Sequence, residues 1–517
     1  MTDPTTNPRS NELLWLNCLC ATYQRLAKNG EPPSREALAG AVAKSLGAGP
    51  AQVRGWFAGI DRLAEYAAAP IDQGNVIDEE DRGVEASRAV TRPVLEARVQ
   101  ARLDAVEAAR TGTVDCLFCG EVAPSQGRRK RPVASSLGPL LISRRYYYCA
   151  DCGVGLFPSE AAVGLDSGEH TPRLAEAITQ LSTTVPYPMA VGLCRSMLGV
   201  EISVHGAEHL VARRAAFVSI AASSEAHQLS PYDDKGVPRR IRRPAQAVAK
   251  APDIAYLEVD GVCAMVREED PDRAVPAEPG SRGGKGRRYD VDGREIKNAI
   301  MYTGDDVATE GSERGCLLDK TYVSQLGPWK IFASRVLPEL LRQRFDQARL
   351  CVVLGDGAEW IRSLCAWLPF AVLQILDLYH VKKRINEVAH ALYPDDELGR
   401  HRWRAVQYDR AEDGRVDDLQ FGLDEVQPKG KKACELVDSL RTYIRNHRDC
   451  MDYPKYRAMG LRVGSGAVES ANFHVTGNRL KLQGMRWSEL GAADMALLRA
   501  DLFNGRWRAT TQHMLAA

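Results

Sequence analysis

Apolar positions change their spacing several times along the chain, and each change marks a part of the molecule. From residue 11 to about 110 they recur three and four apart, at Leu13, Leu14, Leu16 and Leu26, then at Leu38, Val42, Leu46, Val53, Trp56, Phe57 and Leu63, which predicts helices. Within them "REALAGAVAKSLGAGPAQVRGWFAGI" reads as two short helices joined at Gly-Ala-Gly, compatible with a small helix-turn-helix or with plain helical packing. From Asp115 the texture becomes short strands and turns, and from Thr171 to about Ser223 the helical period returns. Residues 224–251 are rich in Pro, Arg and polar residues, carry no period, and are expected to form a linker. Beyond them "IAYLEVDGVCAMV", "IKNAIMYTG", "CLLDKTYVS", "RLCVVLGDG" and "AVLQILDLYHV" predict strands, with helices between and after the last three. Three strands followed by alternating strand and helix indicate an α/β domain with a mixed sheet, interrupted by a charged helical insertion at about 394–460. The expected division is a helical region 1–110, a strand-rich module 111–165, helices 166–223, the linker, and a domain 252–517, a multidomain α+β chain.

At 517 residues two to four domains are expected. Lys plus Arg number 68 against 67 Asp plus Glu, so overall charge gives no argument for a nucleic-acid partner and only local charge can. No apolar run approaches the ~20 residues that cross a bilayer, and "MTDPTTNPRSNELLW" lacks the basic start and apolar centre of a signal peptide, so a cytoplasmic protein with no membrane partner is expected. Of thirteen cysteines most are single residues in apolar stretches, such as Cys194, Cys351 and Cys365, and read as packing residues.

Four cysteines read differently. "CLFC" at Cys116 and Cys119 and "CADC" at Cys149 and Cys152 are paired knuckles separated by a strand-rich stretch, the spacing that gives one structural Zn²⁺ four thiolates in a zinc ribbon. Between the knuckles lie Arg128, Arg129, Lys130 and Arg131, then Arg144 and Arg145 before three tyrosines. Guanidinium groups beside aromatic rings suit a phosphate backbone, and equally a solvated charged face. The next helices have the outline of a helix-turn-helix, with Gly199 in the last turn and Ser203 placed to cap a third helix ending in Arg213 and Arg214. Ser203, His205, His209, Arg213 and Arg214 are the residues expected to meet DNA there.

The acids carry the chemistry. Asp260 is expected at the end of the strand "IAYLEVDGV" and Asp356 at the end of "CVVLGDG", each followed by glycine. Two such strands side by side bring like charges together, which a divalent cation between them relieves. A third acid is expected from a helix, and Glu469 falls in the first turn after Gly464-Ser465-Gly466, where a plain helix N-terminus also favours an acid. Arg479, Lys481, Arg486 and Trp487 come after it, cationic and aromatic groups fit to hold a strand. In "LDLYHVKKR" Asp377 and His380 lie one helical turn apart, either a polar pair reaching the site or a buried histidine with its carboxylate partner.

In their order, "VDG", "VVLGDGAEWI", "DLYH", "GSGAVES" and "RLKLQGMRWS" resemble the RNase H-like DDE transposases of bacterial insertion sequences, most closely the Kra-type group related to the Mutator-like superfamily. The resemblance runs from about Cys116 to Trp507, and residues 1 to about 110 match nothing in it. It implies an RNase H-like catalytic domain with a helical insertion, in which Asp260, Asp356 and Glu469 take the family's Asp, Asp and Glu positions and Asp377 with His380 its Cys-or-Asp and His pair. It further implies a nucleoid-associated enzyme that binds the terminal inverted repeats of its element and target DNA, acting with two Mg²⁺ ions. Asp260 would bridge both ions while Asp356 and Glu469 hold one each, and the glycines flanking Asp356 would let metal and phosphate approach. Two element ends held at once favour a homodimer. A DNA-binding regulator with an inactive α/β domain, and a nuclease or resolvase using the same acids, are the other classes the residues allow. The loop from Glu268 to Arg288 is expected to be mobile in the absence of DNA.

Overall fold

The computed structural model describes residues 34–46, 49–69, 76–110, 112–165, 168–233, 235–244, 246–269, 289–308 and 316–516. The helix expected around Leu13 to Leu26, and all of the loop expectation except Glu268 and Glu269, lie outside the described residues. The chain divides into two compact units, one of residues 1–178, 188–203 and 515–517, the other of residues 179–187 and 204–514. Residues of the expected helix-turn-helix are therefore shared between the two.

The first unit opens with helices α1 (Arg35–Leu46), α2 (Pro50–Ala68) and α3 (Val76–Ala108). Leu38, Val53 and Trp56 close on Ala97 of α3, as the apolar spacing implies. A side chain at Gly59 would put its Cβ 2.3 Å from the Ala89 carbonyl oxygen, so glycine sets the close crossing of α2 and α3. Strands β1 (Thr113–Asp115), β2 (Val122–Ser135), β3 (Gly138–Cys149) and β4 (Val154–Leu156) form an antiparallel sheet in that order. Leu103 of α3 packs on Val133, Leu140 and Ile142 of this sheet. Polar groups of α3 also close the free edge of β3: Glu96 accepts from the Leu141 amide at 2.7 Å, Gln100 from Ser143 at 2.8 Å and Glu107 from Arg145 at 2.6 Å. The boundary expected near residue 110 thus falls inside one packed body. Helices α4 (Pro158–Ala162), α5 (Pro172–Thr184) and α6 (Tyr187–Leu198) come next.

The second unit contains α7 (Val204–Gln228), which runs well past Arg213 and Arg214, where the sequence suggests its end. Its sheet is built from β5 (Ile254–Glu269), β6 (Tyr289–Thr303), β9 (Thr321–Leu326), β10 (Leu350–Gly355) and β11 (Leu373–Leu376), with the short pair β7 (Val307–Ala308) and β8 (Cys316–Leu317) aside. The order across the sheet is β11-β10-β5-β6-β9. β5, β6 and β9 are antiparallel neighbours, whereas β10 is parallel to both β5 and β11. One face, with Leu257, Val259 and Val353, is covered by α8 (Trp329–Arg342) and α9 (Glu359–Trp367) through Phe332, Val336, Leu340, Ile361 and Leu364. The alternate residues Tyr256, Tyr302, Val352 and Leu354 face α10 (Leu378–Leu392) and the helices of the insertion, α11 (Glu397–Glu412), α12 (Val416–Asp424), α13 (Lys431–His447) and α14 (Tyr453–Ala458). Period-two burial on both faces is what the strand sequences encode.

Helix α15 (Gly466–Ala471) continues into a π-helical turn, Asn472–Gly477, and the short α16 (Asn478–Leu480), before α17 (Glu489–Phe503) and α18 (Trp507–Ala516). The segment expected as a linker is not free chain. Leu229 and Ile241 pack into the core of this unit, the Tyr232 hydroxyl donates to the Trp367 carbonyl at 3.1 Å, and the Val248 amide to that of Arg342 at 2.8 Å. Its lack of period reflects docking by scattered single residues. Among the described residues no helix is long and apolar enough to cross a membrane.

Candidate functional site

The parallel arrangement of β5, β10 and β11 decides where the acids meet. The last register pairs are Leu354 with Glu258 and Gly355 with Leu376. Two residues beyond the first pair come Asp356 and Asp260; one beyond the second comes Asp377, whose amide donates to the Gly355 carbonyl at 2.9 Å. Three aspartates therefore stand in a row where neighbouring parallel strands give out, the edge at which α/β sheets place their ligands. Asp260 does not end its own strand, contrary to expectation. β5 continues in a long hairpin with β6 as far as Glu269 opposite Tyr289, and it is the β10 partner that stops.

Asp260 is half-buried, and its carboxyl is pushed up to about 6, first by burial and then by the charge of Asp356, against the opposing pull of the Gly261 amide. Asp356 Oδ1 accepts from the Ala358 amide at 2.9 Å, which fixes the turn into α9. The glycines beside it have packing reasons rather than the ligand-approach reason expected. A Cβ at Gly355 would lie 2.5 Å from Ile361, and Gly357 has φ of +85° with Leu376 and His447 within 3 Å of where its Cβ would be.

Asp377 caps α10, is fully buried, and accepts from the Tyr379 amide at 2.8 Å, Ser465 Oγ at 2.5 Å and His380 Nδ1 at 2.7 Å. Burial alone would raise its carboxyl, but the hydrogen bonds from His380 and Ser465 hold it below the ordinary value. His380 is raised, first by that bond to Asp377 and further by the charges of Asp260 and Asp356. Glu469, exposed in the first turn of α15, brings a carboxylate oxygen within 4.8 Å of ligand atoms of both Asp377 and His380, and these three could hold a metal ion. The tight group is thus Asp377, His380 and Glu469, with Asp260 and Asp356 close enough for their charges to act on His380. Among the described residues Asp260, Asp356 and Glu469 do not by themselves make so close a set.

Four residues of the site are not evident from sequence reasoning. Glu258, two before Asp260 and completely buried, accepts from the Tyr302 hydroxyl at 2.5 Å and from the Val468 amide at 2.9 Å, tying β5 to the helix that carries Glu469. Its carboxyl is pushed up to about 7 by burial. Ser465 reads in the sequence only as part of a turn. Asn472 donates to Asp260 Oδ2 at 2.6 Å, and Asn298 in turn to Asn472. The signal for Glu258 and Asn298 is a polar residue at an inward position of an apolar strand.

In the first unit the four knuckle cysteines converge, with Cys116 and Cys152 sulfurs 3.9 Å apart and those of Cys119 and Cys149 3.6 Å apart, a cluster that could hold a metal ion. Gly120 and Gly153 come directly after the knuckles with φ of +78° and +66°. The amides of Phe118 and Cys119 draw the Cys116 thiol down to about 7, whereas the neighbouring Cys119 sulfur helps push Cys152 up to about 12. Sulfurs this close cannot all ionise without a cation among them.

The expected DNA-contact residues separate by burial. Arg128 is exposed but paired with Asp104 and Glu107, Arg129 lies over the Tyr146 ring at 3.5 Å, and Lys130 is exposed. Arg145 is half-buried. His205, His209 and Ser203 are exposed and Arg213 half-buried, as are groups on a helix surface, and Lys481 and Arg486 are exposed. Five others are corrected to structural roles. Arg131 and Arg144 share the buried Glu160 carboxylate, Arg144 lying over Phe157. Arg214 is buried over Trp507 and donates to its carbonyl. Arg479 is wholly buried between Tyr187 and Trp487, donating to the Ser182 carbonyl, and Trp487 is buried with its indole donating to Leu480. Burial lowers Arg479 to about 10, and such a group has no face left for a strand.

Residues 333–514 match the uncharacterised protein family UPF0236. The chain is also similar to a UPF0236 protein in the vanSb 3′ region of Streptococcus gallolyticus, 24% identical over 358 residues, which span 67% of each chain.

Proposed function

We propose that the chain is an RNase H-like DDE transposase of an insertion sequence, binding element ends and target DNA as a homodimer and cutting DNA with divalent cations. The observation that carries the reading is the row of Asp260, Asp356 and Asp377 at the ends of parallel strands, with Glu469 brought to it from a helix. The sheet order β11-β10-β5-β6-β9, with three antiparallel strands followed in the chain by two parallel ones, supports the RNase H-like reading. Matched residues 333–514 include Asp356, Asp377, His380 and Glu469 but not Asp260.

Asp260, Asp356 and Glu469 would hold Mg²⁺, and the donor set fits it: carboxylate oxygens, with the Asp260 carboxyl raised first by burial and further by the charge of Asp356, which a cation would relieve. Bound there, divalent ions supply activation of water or a 3′-hydroxyl and stabilisation of the departing 3′-oxygen. Asp377 orients His380 through Nδ1, and its hydrogen bond, with the charges of Asp260 and Asp356, favours the protonated form of the imidazole beside the acids. Glu258 fixes the start of α15, and hence Glu469, relative to β5. The knuckle cysteines would hold one structural Zn²⁺ with no open position. Lys130, Arg129, His205, His209, Lys481 and Arg486 are the exposed groups left to meet phosphate.

The test is incubation of the purified full-length protein with labelled element-end duplex and Mg²⁺. Cleavage by the wild type and none by Glu469→Gln, with equal DNA binding, supports the proposal. Equal cleavage by both, or none by either despite specific binding, contradicts it and leaves the DNA-binding regulator.

A further inference from the structure

Asp260 is held by an ordered chain of amides that the proposed chemistry does not use. Asp260, Asn298 and Ser324 lie directly opposite one another across β5, β6 and β9. Over this row passes the π-helical turn, with Asn472 and Thr476, four residues apart, both reaching Asn298. Asn472 Nδ2 donates to Asp260 Oδ2 at 2.6 Å, and Asn298 Nδ2 donates to Asn472 Oδ1 at 2.6 Å. Asn298 Oδ1 accepts from Ser324 Oγ at 2.6 Å, while Thr476 Oγ1 lies beside both ends of the amide, 3.0 Å from Nδ2 and 3.1 Å from Oδ1. Asn298, Ser324 and Thr476 are buried, so their polar atoms depend on one another.

The direction of this chain is set by its end. An ionised carboxylate only accepts, so Asn472 must present its NH₂ to Asp260 and its oxygen to Asn298. Asn298 must then donate to Asn472 and turn its own oxygen toward the Ser324 hydroxyl, with the Thr476 hydroxyl able to serve either end of the amide. Each link polarises the next toward Asp260. With the Gly261 amide on Oδ1 at 2.8 Å, each carboxylate oxygen carries one protein donor and keeps a lone pair for a cation.

We infer that Asn472 is a positioning residue for Asp260, and that Asn298, Ser324 and Thr476 fix the orientation in which it acts. The inference rests on reading Asp260 as a metal ligand. The helix that delivers Glu469 thus also orients Asp260, through the residue three positions later.

The test uses the full-length protein titrated with Mn²⁺ alone, free ion followed by electron paramagnetic resonance, alongside thermal unfolding of the metal-free protein. Asp260→Ala is expected to lose the site. Asn472→Ala is expected to weaken Mn²⁺ about 10- to 100-fold, the usual cost of removing a group that orients a ligand, with the unfolding temperature moved by no more than a few degrees. Should that variant not fold, Ser324→Ala combined with Thr476→Val leaves Asn298 free to reverse, and is expected to weaken Mn²⁺ in the same direction. Wild-type affinity in whichever of these folds, with the site lost in Asp260→Ala, overturns the positioning role alone. Wild-type affinity in Asp260→Ala overturns the metal site, and the positioning role with it.

Discussion

The cysteine cluster and the acid cluster are built in opposite ways. Four sulfurs come from two knuckles on neighbouring strands, thirty-odd residues apart, and each knuckle makes half of the cluster by local geometry. The acids come from β5, the end of β10, the cap of α10 and the start of α15, spread over more than two hundred positions, and the one local pairing at the site joins Asp377 to His380. A site of the first kind organises its surroundings when metal binds. A site of the second kind needs its sheet to be folded first, because only the strand register brings its acids together.

The largest expected difference is functional. Asp260→Ala should reduce DNA cleavage by at least about 1,000-fold while leaving DNA binding intact, measured on labelled element ends. A loss of binding as well would mean that the acid maintains the fold rather than the chemistry. Next comes structure: Cys149→Ser should abolish zinc content and unfold β1 to β4, seen as loss of protection in hydrogen exchange, while Mn²⁺ binding at the acids persists. Unchanged exchange in β1 to β4 would remove zinc from the picture.

Acidity sharpens the contrast further. Asp260 at about 6 and Glu258 at about 7 both lie above their unfolded values of 3.8 and 4.5, so the native state binds more protons across that range. Their contribution to stability is full below about pH 4 and is lost as pH rises through 6 to 7. Asp260→Asn removes one titrating group but sets an NH₂ against either the Gly261 amide or Asn472, so the expected effect is on the slope: the decline in stability of the metal-free protein between pH 4 and 6 flattens, as read by denaturant unfolding. A decline as steep as that of the wild type would remove this carboxyl from the pH dependence. The smallest effect is expected at Lys130, where Ala should weaken DNA binding similarly across sequences and lower the salt slope by about 1.

The sequence is most legible where chemistry is local. Paired knuckle spacing locates the cysteine cluster, and the switch of period at Asp356 locates a strand end and helix start. Strand order is not written in any one segment, but the Asp-Gly endings of two apolar runs are enough to expect adjacent carboxylates. The misreadings share one cause: a side chain's burial is decided by what packs over it. Arg479 and Trp487 look like a strand-binding pair, yet α16 turns Arg479 inward between Tyr187 and Trp487, and Trp487 is itself buried with its indole donating to Leu480. Residues 224–251 look like free chain because their anchors, Leu229, Tyr232 and Ile241, are too sparse to make a period. Asn472 and Glu258 escape notice because each acts through a partner some two hundred residues away.

Anomalous diffraction from crystals grown with Mn²⁺ tests the central claim most directly. The predicted result is a peak within coordination distance of Asp260, Asp356 and Glu469, lost in Asp260→Ala. Density confined to the cysteine cluster or the lattice, with the carboxylates bare at saturating Mn²⁺, would contradict it.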